Sequence, residues 1–136
     1  MPIALEQLQQ LSADDQRDLA AIYPEQASPH WIEQRLERGE LLLAGRFNDR
    51  LLGALWVRPA TGQWQLDKLQ VRANTRRRGV ATQMLTLLCQ RADSSGTELL
   101  LDIDVDSVLN ALLGALGFVA GQAKAGTRTW TRSARQ

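Results

Sequence analysis

The chain has 136 residues, 44% of them hydrophobic and 23% charged, with a net charge of +1. That length holds one domain with a core of its own, and the balance excludes a disordered chain. A single cysteine excludes an intramolecular disulfide and a Cys/His zinc cluster, and near-neutral charge weighs against a nucleic-acid-binding face.

Ile3 to Leu8 reads as a first strand. Ser12, followed three residues on by Asp15, opens a helix with Leu19, Ala20, Ile22 and Tyr23 spaced for one face, and Pro24 ends it. Ser28 as N-cap and Pro29 at the first helical position start a second helix, with Trp31, Ile32 and Leu36 inward and Gly39 as its stop. Leu41 to Phe47 and Arg50 to Val57 are apolar runs joined by Asn48-Asp49, residues that tolerate positive φ, so they predict a tight hairpin. Pro59 to Gly62 is a second turn. No long apolar run or signal-peptide pattern occurs at the N-terminus, where Glu6 and glutamines interrupt the hydrophobics, so a cytoplasmic protein without a membrane partner is expected.

The next strand, Gln63 to Val71, is irregular. Trp64 and Leu66 share one parity, whereas Leu69 and Val71 share the other. Either the strand is buried on both faces or a bulge near Asp67-Lys68 shifts its phase. Val80 to Ala92 is a helix with Val80, Met84, Leu87 and Leu88 inward; Cys89 reads as a small core residue. Ser94-Ser95-Gly96 is a turn, and Leu99 to Val105 a strand ending among Asp102 and Asp104. Ser107 to Leu116 is a short helix stopped by Gly117. Trp130, between threonines, marks a closing strand before a polar tail from Arg132 to Gln136. The order β-α-α-β-β-β-α-β-α-β predicts a single α/β domain over residues 1–136 with a mixed twisted sheet flanked by helices.

Between the fourth strand and the third helix lies Arg76-Arg77-Arg78-Gly79-Val80-Ala81. A helix start leaves backbone N–H groups without intrahelical partners and is electropositive, which suits a phosphate. Guanidinium groups add fork-shaped, charge-assisted hydrogen bonds. The spacing is neither Gly-x-x-x-x-Gly-Lys-Ser/Thr nor Gly-x-Gly-x-x-Gly, so a P-loop or a dinucleotide fold is not indicated.

Arg76, Gly79 and Ala81 match Arg/Gln-x-x-Gly-x-Gly/Ala, and with the element order the chain resembles the GCN5-related N-acetyltransferase (GNAT) family. The resemblance implies acetyl-CoA or CoA as ligand. Leu69 and Val71 would offer backbone hydrogen bonds to its pantetheine arm. Arg76, Arg77, Arg78, Gly79, Val80, Ala81 and Thr82 would wrap its phosphates. Four further stretches are similar to one branch of that family: residues 46–52, 66–72, 75–80 and 115–118. Its members are the acetyl-CoA-binding maturation factors of aspartate 1-decarboxylase in pantothenate biosynthesis, which promote self-cleavage of the decarboxylase proenzyme. That resemblance implies Arg46, Asn48 and Arg72 as partner-facing residues, although Asn48 is equally explained by its hairpin turn. The alternative is an N-acetyltransferase acting on an amine of a small molecule or a protein.

Acetyl transfer to an amine needs deprotonation of that amine, an oxyanion donor and an acid for the leaving thiolate. The family commonly supplies the acid as a tyrosine four residues before Gly-Phe; here that position is Leu113, preceded by Leu112. Tyr23 lies on another helix and reads as core or rim, and His30 as solvated. Asp67, or Asp102 and Asp104 at the end of the fifth strand, are the candidate bases. Asp104 or Asp106 have an equally good reading as helix caps. Trp31, Trp56, Trp64 and Trp130 are scattered and read as core and sheet residues rather than a stacking platform for bases.

Overall fold

The computed structural model describes residues 2–26, 30–75 and 79–135. Seven strands form one sheet: β1 (Ala4–Leu8), β2 (Leu41–Phe47), β3 (Arg50–Ala60), β4 (Gln63–Val71), β5 (Glu98–Asp104), β6 (Val119–Lys124) and β7 (Thr127–Arg132). The helices are α1 (Ala13–Ile22), α2 (His30–Glu37), α3 (Val80–Ser95) and α4 (Leu109–Ala115). The sheet runs β1-β2-β3-β4-β5-β7-β6, with β4 and β5 parallel and every other neighbour antiparallel. None of the described helices is long and apolar enough to cross a membrane.

Alternation along the strands feeds two cores. Leu43, Leu55, Val57 and Leu66 meet Met84, Leu85 and Leu88 of α3 and Leu113 of α4 on one face. Leu42, Ala44, Ala54 and Trp56 meet Leu19 and Ile22 of α1 and Ile32 of α2 on the other. Cys89 and Trp130 are buried in the first core, Trp56 in the second, with Trp64 and Trp31 packed at their margins. The Asn48-Asp49 hairpin is present, with φ of 48° and 64°.

α1 opens as expected: the Ser12 hydroxyl accepts from the Asp15 amide at 3.0 Å while Asp15 takes the Ser12 amide. Its inward face is not purely apolar, however. Asp15 and Asp18 are buried beside Leu19 and Ile22, whereas Ala20 is exposed. The predicted Ser28-Pro29 start of α2 lies outside the described residues; Gly39 ends the segment with φ of 86°.

Strand boundaries differ from expectation in β3 and at the closing strand. β3 continues through Pro59 to Ala60, three residues further than predicted, because β2 stops pairing at Val57 and leaves that side of β3 without a ladder for a proline to break. The single closing strand is a hairpin, β6–β7, turning at Ala125 (φ 54°) and Gly126 (φ 79°). β6 is exposed along its whole length, so hydrophobic alternation could not announce it.

Arg132, assigned to the polar tail, is only 4% exposed. Its guanidinium clasps both oxygens of Asp93 at 2.8 and 3.1 Å and donates to the Leu116 carbonyl. Those hydrogen bonds, joined by the Arg135 amide, hold the Asp93 carboxyl down to about 2. Because that value lies below the unfolded carboxylate's, about 3.9, the Asp93 contribution is complete above about pH 4 and is lost as pH falls towards 2. The stability gap between wild type and Arg132→Met, followed by circular dichroism, is therefore expected to stay level from neutral pH to about 5 and to narrow below about 4.

Candidate functional site: the cleft between β4 and β5

Of the two readings of the irregular strand the bulge holds, for only Leu66 along β4 is buried. β4 lies inside the sheet and is bulged. Trp56 pairs with Asp67 and Ala54 with Gln70, so Lys68 and Leu69 stand opposite Leu55 alone, and Lys68 takes φ of 52°. Pairing between β4 and β5 runs only from Gln63–Glu98 to Leu66–Leu101. Beyond Leu66 the two strands part, and among the described residues no strand pairs with that side of β4.

A cleft of about 490 Å³ opens there. β4 contributes Leu69, Gln70 and Val71; the turn into α3 contributes Gly79, Val80, Ala81 and Thr82; Ser107, Val108, Leu109 and Leu112 close the far wall. A recess of about 250 Å³ continues between the strands, past Lys68, Leu101 and Ile103 to Asp102 and Asp104. Val108, at 93% exposed, is a bare apolar side chain in that far wall.

Gly79 enters α3 with φ of 78°, a left-handed conformation suited to glycine, and a Cβ placed there would meet nothing within 4 Å. The first turn of α3 therefore presents its amides and the positive end of its dipole at one end of the cleft. Two more glycines set the height of that helix. Gly45 and Gly53 face each other across β2 and β3, and Met84 lies on both. A Cβ at Gly53 would stand 2.8 Å from Met84 Sδ and 3.2 Å from Val80 Cγ1.

The expected residues therefore divide. Leu69, Val71, Gly79, Val80, Ala81 and Thr82 share one cleft, while Arg76, Arg77 and Arg78 lie outside the described residues. Asp67 does not line the cleft. In register with Trp56, its carboxylate accepts from Arg35 of α2 at 2.7 Å, and that guanidinium also donates to buried Glu40 and stacks 4.9 Å from the Trp56 ring.

Leu113 is fully buried in the core; Leu112 is the α4 residue beside Leu109 that faces the cleft. Neither provides a proton. Asp102 accepts from the Thr129 hydroxyl, and neither Asp104 nor Asp106 caps α4 with its side chain. Ser107 does so instead, its hydroxyl accepting the Leu109 amide at 3.1 Å. Asn110 braces the same corner, donating to the Val105 and Ser107 carbonyls while accepting from the Trp130 indole. His30 is exposed beside Glu33.

The partner-facing candidates gather around α1. Arg46 donates to Glu6 at 2.7 Å, Asp15 at 3.2 Å and the Asp49 carbonyl at 3.1 Å. Asn48 is exposed at the hairpin tip. Arg72 donates to Asp18, which also takes Arg50 and the Leu51 amide. Burial alone would raise the Asp18 carboxyl, but these hydrogen bonds and the charges of Arg50 and Arg72 outweigh it and lower the pKa. Asp18 escaped the sequence reading, because an Asp in the second helical turn looks solvated, whereas Tyr23, read as core or rim, is in the core.

The family described as "Acetyltransferase (GNAT) domain, PanZ" matches residues 2–126. The chain is 36% identical over 122 residues to a protein of Salmonella typhimurium named "PanD regulatory factor", covering 88% of this chain and 94% of that one. Among solved structures, the putative N-acetyltransferase YhhK of Escherichia coli, bound to coenzyme A, is 28% identical with a TM-score of 0.69, covering 96% of this chain and 98% of that one. The ribosomal-protein-S18-alanine N-acetyltransferase of Escherichia coli superposes with a TM-score of 0.76 over 98% and 95% of the two chains at 16% identity, a likeness of fold alone.

Proposed function

The chain belongs to the PanZ family of GNAT acetyltransferase domains, and from that membership we propose that it binds acetyl-CoA and, so loaded, promotes maturation of aspartate 1-decarboxylase and regulates it by direct contact. The observation that carries this reading is the near end-to-end match to proteins named for regulating PanD. The cleft agrees with it. Apart from Gln70 and the hydroxyls of Thr82 and Ser107, its described lining is apolar or glycine; carboxylates enter only in the recess beyond it, as Asp102, which accepts from the Thr129 hydroxyl, and Asp104.

The residues present suit the ligand. The side of β4 left without a strand partner beyond Leu66 offers backbone groups at Leu69 and Val71 for the pantetheine amides. The amides from Gly79 to Thr82 would take the pyrophosphate at the helix start, with Arg76, Arg77 and Arg78 adding charge. Apolar side chains of Leu109 and Leu112 would line the pantetheine arm. When bound, acetyl-CoA supplies an activated acyl group; in this reading the protein holds it as a signal. Asn48 at the hairpin tip would meet the decarboxylase, while Arg46 and Arg72 shape the surface around it through their bonds to α1.

Titration calorimetry is expected to show acetyl-CoA binding that weakens roughly tenfold in Gly79→Asp, where a carboxylate would face the pyrophosphate and a side chain would sit at positive φ. Purified decarboxylase proenzyme should cleave itself faster with this protein plus acetyl-CoA than with either alone. Unchanged cleavage, together with free CoA released in the presence of an amine, would establish the N-acetyltransferase reading in its place.

A further inference from the structure

β4 can border the cleft only because it leaves its regular path, and a lysine is an awkward residue to carry that departure. At φ of 52° the Lys68 Cβ crowds its own carbonyl, a conformation that persists where surrounding contacts enforce it. Those contacts come from the end of α1. The Tyr23 hydroxyl donates to the Lys68 carbonyl at 2.7 Å. Two residues on, the Gln70 side-chain amide Nε2 donates to the Ile22 carbonyl at 3.1 Å, with Glu25 as a second acceptor. Leu69, between these two anchors, is one of the cleft-lining residues.

The Tyr23 ring is 1% exposed and meets Trp31 edge-on, with 5.1 Å between ring centroids. Burial pushes its phenol well above the ordinary range, so the hydroxyl keeps its proton and is a donor at neutral pH. Were the bulge lost, a one-residue slip would carry Leu69 and Val71 to the opposite face and bring β4 back alongside β5.

We propose that Tyr23 is a positioning residue for the ligand cleft: its hydroxyl, on the far side of the sheet from α3, holds Lys68 in the bulge that parts β4 from β5. This rests on the acetyl-CoA reading of the cleft. Tyr23→Phe keeps the buried ring and removes only the donor. Its affinity for acetyl-CoA, measured by calorimetry, is expected to fall about fivefold, the weight of one neutral hydrogen bond.

Two further variants separate positioning from general loosening. Leu19→Val, elsewhere on the buried face of α1, should lower the melting temperature without changing affinity. Lys68→Gly added to Tyr23→Phe should restore affinity to within about twofold of wild type, because glycine adopts positive φ without help. Wild-type protein that takes up no acetyl-CoA overturns the reading of the cleft. Wild type that binds, alongside a Tyr23→Phe protein that binds equally or one whose loss Lys68→Gly leaves in place, overturns the positioning role alone.

Discussion

Asp18→Ala is expected to lower the unfolding free energy at neutral pH by about 3 kcal/mol, the loss that follows removal of one partner from a buried charged cluster. The carboxylate is 1% exposed and takes Arg50 at 2.5 Å, Arg72 at 3.1 Å and the Leu51 amide at 3.0 Å. Arg50 is half exposed and can turn to water, so its share is screened. Leu51 is fully buried, and its amide would be left without an acceptor. Thermal melting should register the change as a fall of about 10 °C for a domain of this size. Asp18→Asn, which keeps an acceptor for the Leu51 amide, should cost about half as much.

The pH dependence of that difference follows from its sign. A carboxyl whose folded pKa lies below its unfolded value adds stability that is complete above the unfolded pKa, about 4, and disappears as pH falls through the folded one. Wild type and Asp18→Ala should therefore converge in stability below about pH 4 and differ most from there to neutrality. A constant difference across that range would show that packing, not charge, is what Asp18 contributes.

Gly53→Val is expected to cost about 2 kcal/mol of stability and to weaken acetyl-CoA binding by roughly tenfold, two losses with one cause. A Cβ at that position meets the end of the flexible Met84 side chain at 2.8 Å, which can turn away, but also the Gln70 backbone carbonyl at 3.2 Å, which cannot. The same Cβ also stands 3.2 Å from Val80 Cγ1, so the first turn of α3 is pushed from the sheet, taking Val80, Ala81 and Thr82 away from β4 on the opposite wall of the cleft. Met84→Ala in the same protein makes room and should recover part of the affinity, so the two changes combine non-additively. A Gly53→Val protein with reduced stability and unaltered affinity would separate helix seating from ligand binding.

Local chemistry made much of this molecule readable before any coordinates. Ser12 with Asp15 wrote the start of α1, Asn48-Asp49 wrote a hairpin, and the glycine-containing turn before Val80 wrote a helix start suited to phosphate. Each is a signal contained within four or five residues, where backbone preference and capping do not depend on the rest of the fold. The alternation of strands and the periodicity of α3 placed the two cores by the same means. β6 was illegible because an exposed edge strand carries no alternation.

Charged side chains were the harder part. Asp67 looked like a base on a strand, yet its partner Arg35 lies 32 residues away on α2. Asp18 is equally far from Arg50 and Leu51, and Arg132 is 39 residues from Asp93. Spacing along the chain carries no information about such pairs, because the sheet's register and the seat of each helix bring them together.

Short-range patterns along the chain settled the element order apart from β6, the two apolar faces, the glycine turn at the head of α3 and the lack of a tyrosine on α4 to protonate a leaving thiolate. The tertiary structure alone decided that β4 is both central and bulged, that it parts from β5 after Leu66, and that Asp67 belongs to an arginine rather than to the cleft. The reason is that elements are chosen by neighbours a few residues apart, whereas a gap in a sheet and the state of a carboxylate are set by groups that only folding makes adjacent.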